Sequence, residues 1–299
     1  MHWPSYNRSL VRRGEILFSY NLLDIWDDDL ARMNENKEGK KYKFPDSFIL
    51  IISHIRVYLH LPYRQTEGII KATVGKGIPE YKQPSSPSYS QICRRTNKLD
   101  IDINSSIDDD DVIIAADSTG IKITNRGQWM QDKWKAEKKG YLKIHVAVNI
   151  KTKEIIALEV TDEKVHDGKV MPRLIEQVLK INDNRDIKIK SALGDGAYDS
   201  NENFKYLQKK KIMPGIKIRK NSIVSLKNNS LRNREAKFQT RDFIKWKKKR
   251  TYGQRWIIET VFSAIKRMFG EHVSATRFQN MVKEMMIKVS LYNFFRRLA

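Results

Sequence analysis

Val112-Ile-Ile-Ala-Ala116-Asp117-Ser-Thr-Gly120 reads as a short apolar strand with an aspartate at its carboxyl end. Downstream, Leu142 to Ile150 alternates, with Leu142, Ile144, Val146 and Val148 on one side of the pleat. Ile155 to Val160 follows as a third strand after the turn Lys151-Thr-Lys153. Val170 to Ile181 has helical spacing. A fourth strand, Ser191 to Gly194, runs directly into Asp195 of Gly-Asp-Gly-Ala-Tyr-Asp199. Asn201 to Lys210 reads as a helix, and Ile212 to Ile218 as a fifth strand interrupted by Pro214-Gly215. Three strands, helix, strand, helix, strand is the order of an α/β, ribonuclease-H-like core, a mixed five-stranded sheet flanked by helices. If the strands before Asp117 and Asp195 are parallel neighbours, the two carboxylates stand side by side at the sheet edge where ligands bind in open α/β folds.

A third carboxylate comes from Tyr252-Gly-Gln-Arg255-Trp-Ile-Ile-Glu259, with Lys266 seven residues on. Wound as an α-helix, these four polar residues fall within roughly 60° of one another. Ile257, Ile258, Val261, Phe262, Ile265 and Phe269 occupy the opposite side. Asp117, Asp195 and Glu259 are therefore candidate catalytic residues and metal ligands. Hard oxygen donors suit Mg²⁺ or Mn²⁺, and two such ions serve phosphoryl transfer by activating water and stabilising the leaving oxygen. Asp199 competes with Asp195 but directly precedes a helix and reads as its cap. His145, on the strand face opposite Ile144 and Val146, reads as structural, and His166 as a loop or cap residue.

The chain has 299 residues and a formal charge of +22, from 57 basic and 35 acidic side chains. That excess points to a polyanionic partner, nucleic acid above all. The one cysteine, Cys93, excludes an internal disulfide. No apolar run approaches 18 residues and the start lacks a secretory pattern, so the expectation is a cytoplasmic, nucleoid-associated protein with no membrane partner.

Residues 1–100 read as helical, with Pro45 opening one helix at its first position, a second over Tyr63 to Ala72, and a third capped by Ser88 or Ser90 and running to about Leu99. The third carries Arg94, Arg95 and Lys98. The arrangement fits a helix-turn-helix DNA reader and equally a helical bundle with a solvated basic face. Residues 101–111 form an acidic linker, and 112–299 the catalytic domain. Within it, residues 209–250 hold sixteen basic residues against two acids, Glu235 and Asp242. Lys247, Lys248, Lys249 and Arg250 lead straight into the Tyr252 segment and are candidate DNA contacts. Phe243 and Trp246 read as packing for this segment.

Asp117-Ser-Thr-Gly, Asp195-Gly-Ala-Tyr, and Tyr252, Arg255, Glu259 and Lys266 at their particular gaps resemble the DDE transposases of bacterial and archaeal insertion sequences. The Tyr-Arg-Glu-Lys signature matches in every gap. Ser5-Tyr-Asn-Arg-Ser-Leu10, Leu61-Pro-Tyr-Arg-Gln-Thr-Glu-Gly68 and Gly127-Gln-Trp129 are similar to the insertion-sequence-five group. The resemblance implies that Asp117, Asp195 and Glu259 hold the metals, and that Tyr252, Arg255 and Lys266 contact transposon-end DNA. It further implies double-stranded partners, the terminal inverted repeats and the target, and a homodimer in a synaptic complex. Some relatives carry a long β-rich insertion between the second aspartate and the glutamate; here that gap is 64 residues, so any insertion is compact. A DNA-binding protein without catalysis and a structure-specific nuclease of the same fold are the alternatives.

Overall fold

The computed structural model describes residues 2–17, 25–77, 86–103, 111–123, 140–180, 188–222 and 229–298. The chain divides into two compact units, residues 1–102 with 275–299, and residues 103–274.

The second unit is built on a sheet of β1 (Asp111–Ile123), β2 (Tyr141–Asn149), β3 (Ile155–Asp162), β4 (Lys188–Gly194) and β5 (Met213–Ile216), in the order β3-β2-β1-β4-β5. β1, β2 and β3 form an antiparallel meander, and β4 and β5 extend it in parallel. This is the ribonuclease-H-like α/β arrangement expected from the strand order. A sixth strand, the dipeptide His272–Val273 (β6), pairs parallel to the far end of β1 and carries too little pattern to be read from sequence.

Two strands differ from expectation. β1 continues through Asp117 to Ile123, because β2 pairs with it along that whole length. What ends near Asp117 is the pairing with β4, whose last partners are Ala115 and Leu193. β5 accepts Pro214-Gly215 within the strand instead of being interrupted. An edge strand tolerates a residue without an N–H, and Gly215 is required by proximity: a Cβ there would lie 2.4 Å from Leu193 Cδ2.

Helix α6 (Met171–Lys180) buries Met171, Leu174, Ile175 and Val178 against β2 and β3, and α7 (Asn201–Lys209) buries Phe204 and Leu207. These side chains share one core with Val112, Ile114, Ala116, Ala192 and Ile216. Strand alternation turns Asp117 to the opposite face from Ile114 and Ala116. Helix α10 (Trp256–Phe269) packs against β1 and buries all six apolar residues assigned to its inner face. Within the 64-residue gap from Asp195 to Glu259, the part between β5 and α10 holds two short helices, α8 (Leu231–Arg241) and α9 (Phe243–Lys249), so the compact insertion is helical in its described part.

The first unit contains α1 (Trp3–Leu17), α2 (Trp26–Asn34), α3 (Asp46–Tyr58), α4 (Tyr63–Gly77), α5 (Tyr89–Thr96) and the last helix, α11 (Phe278–Arg297). α3 buries Phe48, Ile49, Ile52 and Ile55 and packs on α11, which buries Met281, Met285, Val289, Leu291 and Phe295. The sequence division keeps α11 with the catalytic domain; by its contacts the helix groups with the first unit, where its apolar stripe meets α3. Pro45 is the N-cap of α3 and not its first residue. Ser88 caps α5 in a reciprocal capping box with Gln91, and the helix stops at Thr96, short of Leu99. Residues 78–85 and most of the acidic linker, 104–110, lie outside the described residues, as does Gly127-Gln-Trp129.

Candidate active site

Asp117 and Asp195 each stand two residues beyond the last pair of the parallel β1–β4 ladder, Ala115 with Leu193. Equal offsets along parallel neighbours bring the two carboxyls to the same level of the sheet. Burial pushes the Asp117 carboxyl above the ordinary carboxylate range, and nearby Asp195 adds to the rise. The Ser118 N–H, donating 2.8 Å to Asp117 Oδ1, and the Arg255 cation work against it. Gly194, before Asp195, lets the strand end close on the buried Tyr198 ring: a Cβ there would stand 3.0 Å from Tyr198 Cδ2.

Tyr252 to Arg255 forms a 3₁₀ turn, and the α-helix begins only at Trp256. The expected continuous α-helix is therefore corrected at its start. Thr251, with φ 55° in the left-handed region, turns the chain between α9 and this segment. The polar residues nevertheless meet. Arg255 Nη1 donates to Asp117 Oδ2 at 2.9 Å, and Nη2 to Glu259 Oε1 at 2.6 Å. Burial disfavours the Arg255 charge, but Tyr252, Asp117, Glu259 and Asp195 together outweigh it. The Tyr252 ring leans on the buried Trp246 ring at 5.0 Å, and burial raises its phenol pKa. Lys266 is half-buried two turns further along α10.

The three carboxylates expected to form one oxygen cage are not gathered into one: among the described residues no three His, Cys, Asp or Glu side chains form a metal-ready cluster. Arg255 stands between two of them, which satisfies both negative charges at once. As donors they still fit a hard divalent cation. All three are carboxylates, Asp195 is close enough to Asp117 to disfavour the Asp117 charge, and the Glu259 side chain is 59% exposed.

The candidate DNA contacts differ in availability. Lys247, Lys248 and Lys249 are exposed on α9. Arg250 is not: two nitrogens of its guanidinium, Nε and Nη2, donate to the buried Glu235, which also accepts from Trp246 Nε1 at 2.9 Å. In the helical unit, Arg95 is tied to Asp46 and to the Phe44 carbonyl, and it lies over Tyr42. Arg94 bonds the Ser90 carbonyl within its own helix, and Arg94 and Lys98 line a cavity of about 310 Å³ with Tyr42 and Gln91.

Asp199 is not a helix cap, because Ser200 caps α7 through the Asn203 N–H. Asp199 instead accepts from Arg232 through two nitrogens at 2.6 and 2.8 Å, from Ser222 Oγ at 2.9 Å and from the Arg219 N–H at 3.1 Å. No sequence signal links residues 33 positions apart, so these partners were missed. His145 is fully buried beside Thr161, with its pKa lowered to about 4 by burial, and His166 caps a 3₁₀ turn through Gly168. Both are structural in that sense. No described helix is long and apolar enough to cross a membrane.

The sheet order and the paired aspartates define a ribonuclease-H-like core. A family model described as "Transposase DDE domain" matches residues 108–294, and a second with the same description matches residues 11–126. The chain belongs to the transposase DDE domain family and is, by that membership, an enzyme of the DDE transposase class. Among solved structures, the Drosophila P element transposase in a strand transfer complex is 12% identical, with a TM-score of 0.36 over 91% of this chain and 69% of that one. The piggyBac transposase in a synaptic complex with hairpin DNA is 8% identical, with a TM-score of 0.38 over 95% and 74%. A chain of the simian T-cell lymphotropic virus intasome in complex with PP2A regulatory subunit B56 gamma is 13% identical, with a TM-score of 0.27; the match covers 69% of this chain and 65% of that one.

Proposed function

We propose that this chain is an insertion-sequence transposase of the Tyr-Arg-Glu-Lys type that cuts the ends of its own element and joins them to target DNA. The observation that carries the reading is the equal offset of Asp117 and Asp195 beyond the β1–β4 ladder, with Glu259 linked to Asp117 through Arg255. Asp117, Asp195 and Glu259 would hold Mg²⁺ or Mn²⁺, two ions in all, which when bound supply an activated water and stabilisation of the leaving oxygen. Water then attacks the phosphodiester at the transposon end, a phosphorus–oxygen bond forms, and the 3′-oxygen leaves to become a 3′-hydroxyl. That hydroxyl attacks a target phosphodiester in turn, and the target's own 3′-oxygen leaves.

The protein's share is positioning. Arg255 orients Asp117 and Glu259 together. Tyr252, Arg255 and Lys266 are the proposed contacts to end DNA, with Lys247, Lys248 and Lys249 holding backbone phosphates beside them. Arg94 and Lys98 in the helical unit are proposed to contact the terminal inverted repeat. Joining two ends requires two active sites, hence a homodimer around paired ends.

A duplex bearing the element's terminal repeats, incubated with protein, Mg²⁺ and a target plasmid, is expected to yield 3′-hydroxyl ends and then joined product. Cleavage without joining would reduce the protein to a nuclease. No metal-dependent product at all would contradict the reading.

A further inference from the structure

The turn that carries Asp195 is held from outside by one side chain. Lys217 N–H, just past β5, donates to the Gly194 carbonyl at 3.1 Å, and the Asp195 carbonyl accepts from Tyr198 N–H at 3.2 Å. Arg219 adds a side-chain donor to the other two: its Nε donates to the Gly196 carbonyl at 2.6 Å, which also accepts from the Asp199 N–H at 3.3 Å, and its Nη2 donates to the Ala197 carbonyl at 3.2 Å. Every backbone carbonyl from Gly194 to Ala197 is thereby occupied. The Ala197 N–H, on the other side of the same peptide run, donates to Asp195 Oδ1 at 2.8 Å and so fixes that carboxylate's rotamer. Arg219 is itself anchored, since its N–H donates to Asp199, the carboxylate clamped by Arg232 and Ser222. A planar fork that spans two successive carbonyls suits arginine and no other side chain.

We propose that Arg219 is a positioning residue for Asp195, fixing the Gly194–Ala197 turn so that the Asp195 carboxylate meets a divalent cation in one orientation. The proposal rests on the reading of Asp195 as a metal ligand. Outer partners that orient a metal-binding carboxylate are worth about 10–100-fold in metal affinity. Arg219 is exposed, so its loss leaves the core intact.

The test is Mn²⁺ binding to the full chain without DNA, followed by electron paramagnetic resonance, for wild type, Arg219→Met and Asp195→Asn. The Arg219→Met protein is expected to bind Mn²⁺ about tenfold more weakly or worse. Its end cleavage should need correspondingly more Mn²⁺ yet approach the wild-type rate at saturation, with metal-free DNA affinity unchanged. Unchanged Mn²⁺ affinity overturns the proposal, whether the variant merely melts earlier or instead binds DNA less tightly as a lost phosphate contact would require. If Asp195→Asn also leaves Mn²⁺ affinity unchanged, the metal-ligand reading itself has failed; if only Asp195→Asn lowers it, the positioning role alone has. Should Arg219→Met not fold, Arg219→Lys is read by the same criteria, because lysine keeps the charge but cannot bridge both carbonyls.

Discussion

Asp195 and Asp199 sit four residues apart in one short turn, and their surroundings have little in common. Asp195 faces Asp117 and is half-buried, whereas the Asp199 side chain is 1% exposed and holds four hydrogen bonds. Burial alone would raise the Asp199 pKa, but Arg232, the Arg219 N–H and Ser222 hold it below its ordinary 3.8. A carboxylate with a lowered folded-state pKa stabilises the fold above that ordinary value and loses this contribution as the pH falls through the folded one. Asp199→Asn is therefore expected to cost roughly 3 kcal/mol at neutral pH, the low end for breaking one side of a buried pair. Urea unfolding should show the gap to wild type narrowing below about pH 4; a gap independent of pH contradicts the ionic role. The sequence reading had made Asp199 a mild capping residue. Both aspartates look alike in the turn, and only the distant Arg232 tells them apart.

At the scale of elements, α9 separates residues that the basic run makes look equivalent. Neutralising Lys247, Lys248 and Lys249 is expected to weaken DNA binding regardless of sequence and to flatten its salt dependence, by about 0.9 log unit per lost duplex contact. Arg250→Ala should instead unfold more easily, by roughly 3–5 kcal/mol, because Glu235 is left buried without its cation. An unchanged salt slope for the lysine variant, measured by fluorescence anisotropy, would make that face merely solvated. β5 offers a packing test. Gly215→Ala would press its methyl on Leu193 and is expected to cost about 1–3 kcal/mol in thermal or urea unfolding; no loss would mean that Leu193 has room to move. The strands and the buried face of α10 were legible because alternation and helical spacing depend only on near neighbours. The break at Thr251 was not, since a left-handed threonine has no pattern of its own.

For the molecule as a whole, charge and strand order carried most of the reading. An excess of 22 positive charges and the order of β1 to β5 pointed to a polyanion-processing ribonuclease-H-like core before any side chain was placed. The last helix groups with the first unit by its contacts, although the family match runs to residue 294; an apolar stripe records that a face is buried, not which unit buries it. The placement of the three carboxylates was legible only in part. Spacing aligned Glu259 with Arg255, but it could not reveal that the guanidinium joins Glu259 to Asp117. The most direct test is Mg²⁺-dependent cleavage of duplex carrying the element's terminal repeats by wild type, Asp117→Asn, Asp195→Asn and Glu259→Gln, alongside their metal-free DNA binding. Each amide variant is expected to bind end DNA at least as well as wild type and to cleave it slower by orders of magnitude. Robust cleavage by Glu259→Gln would contradict the three-carboxylate site.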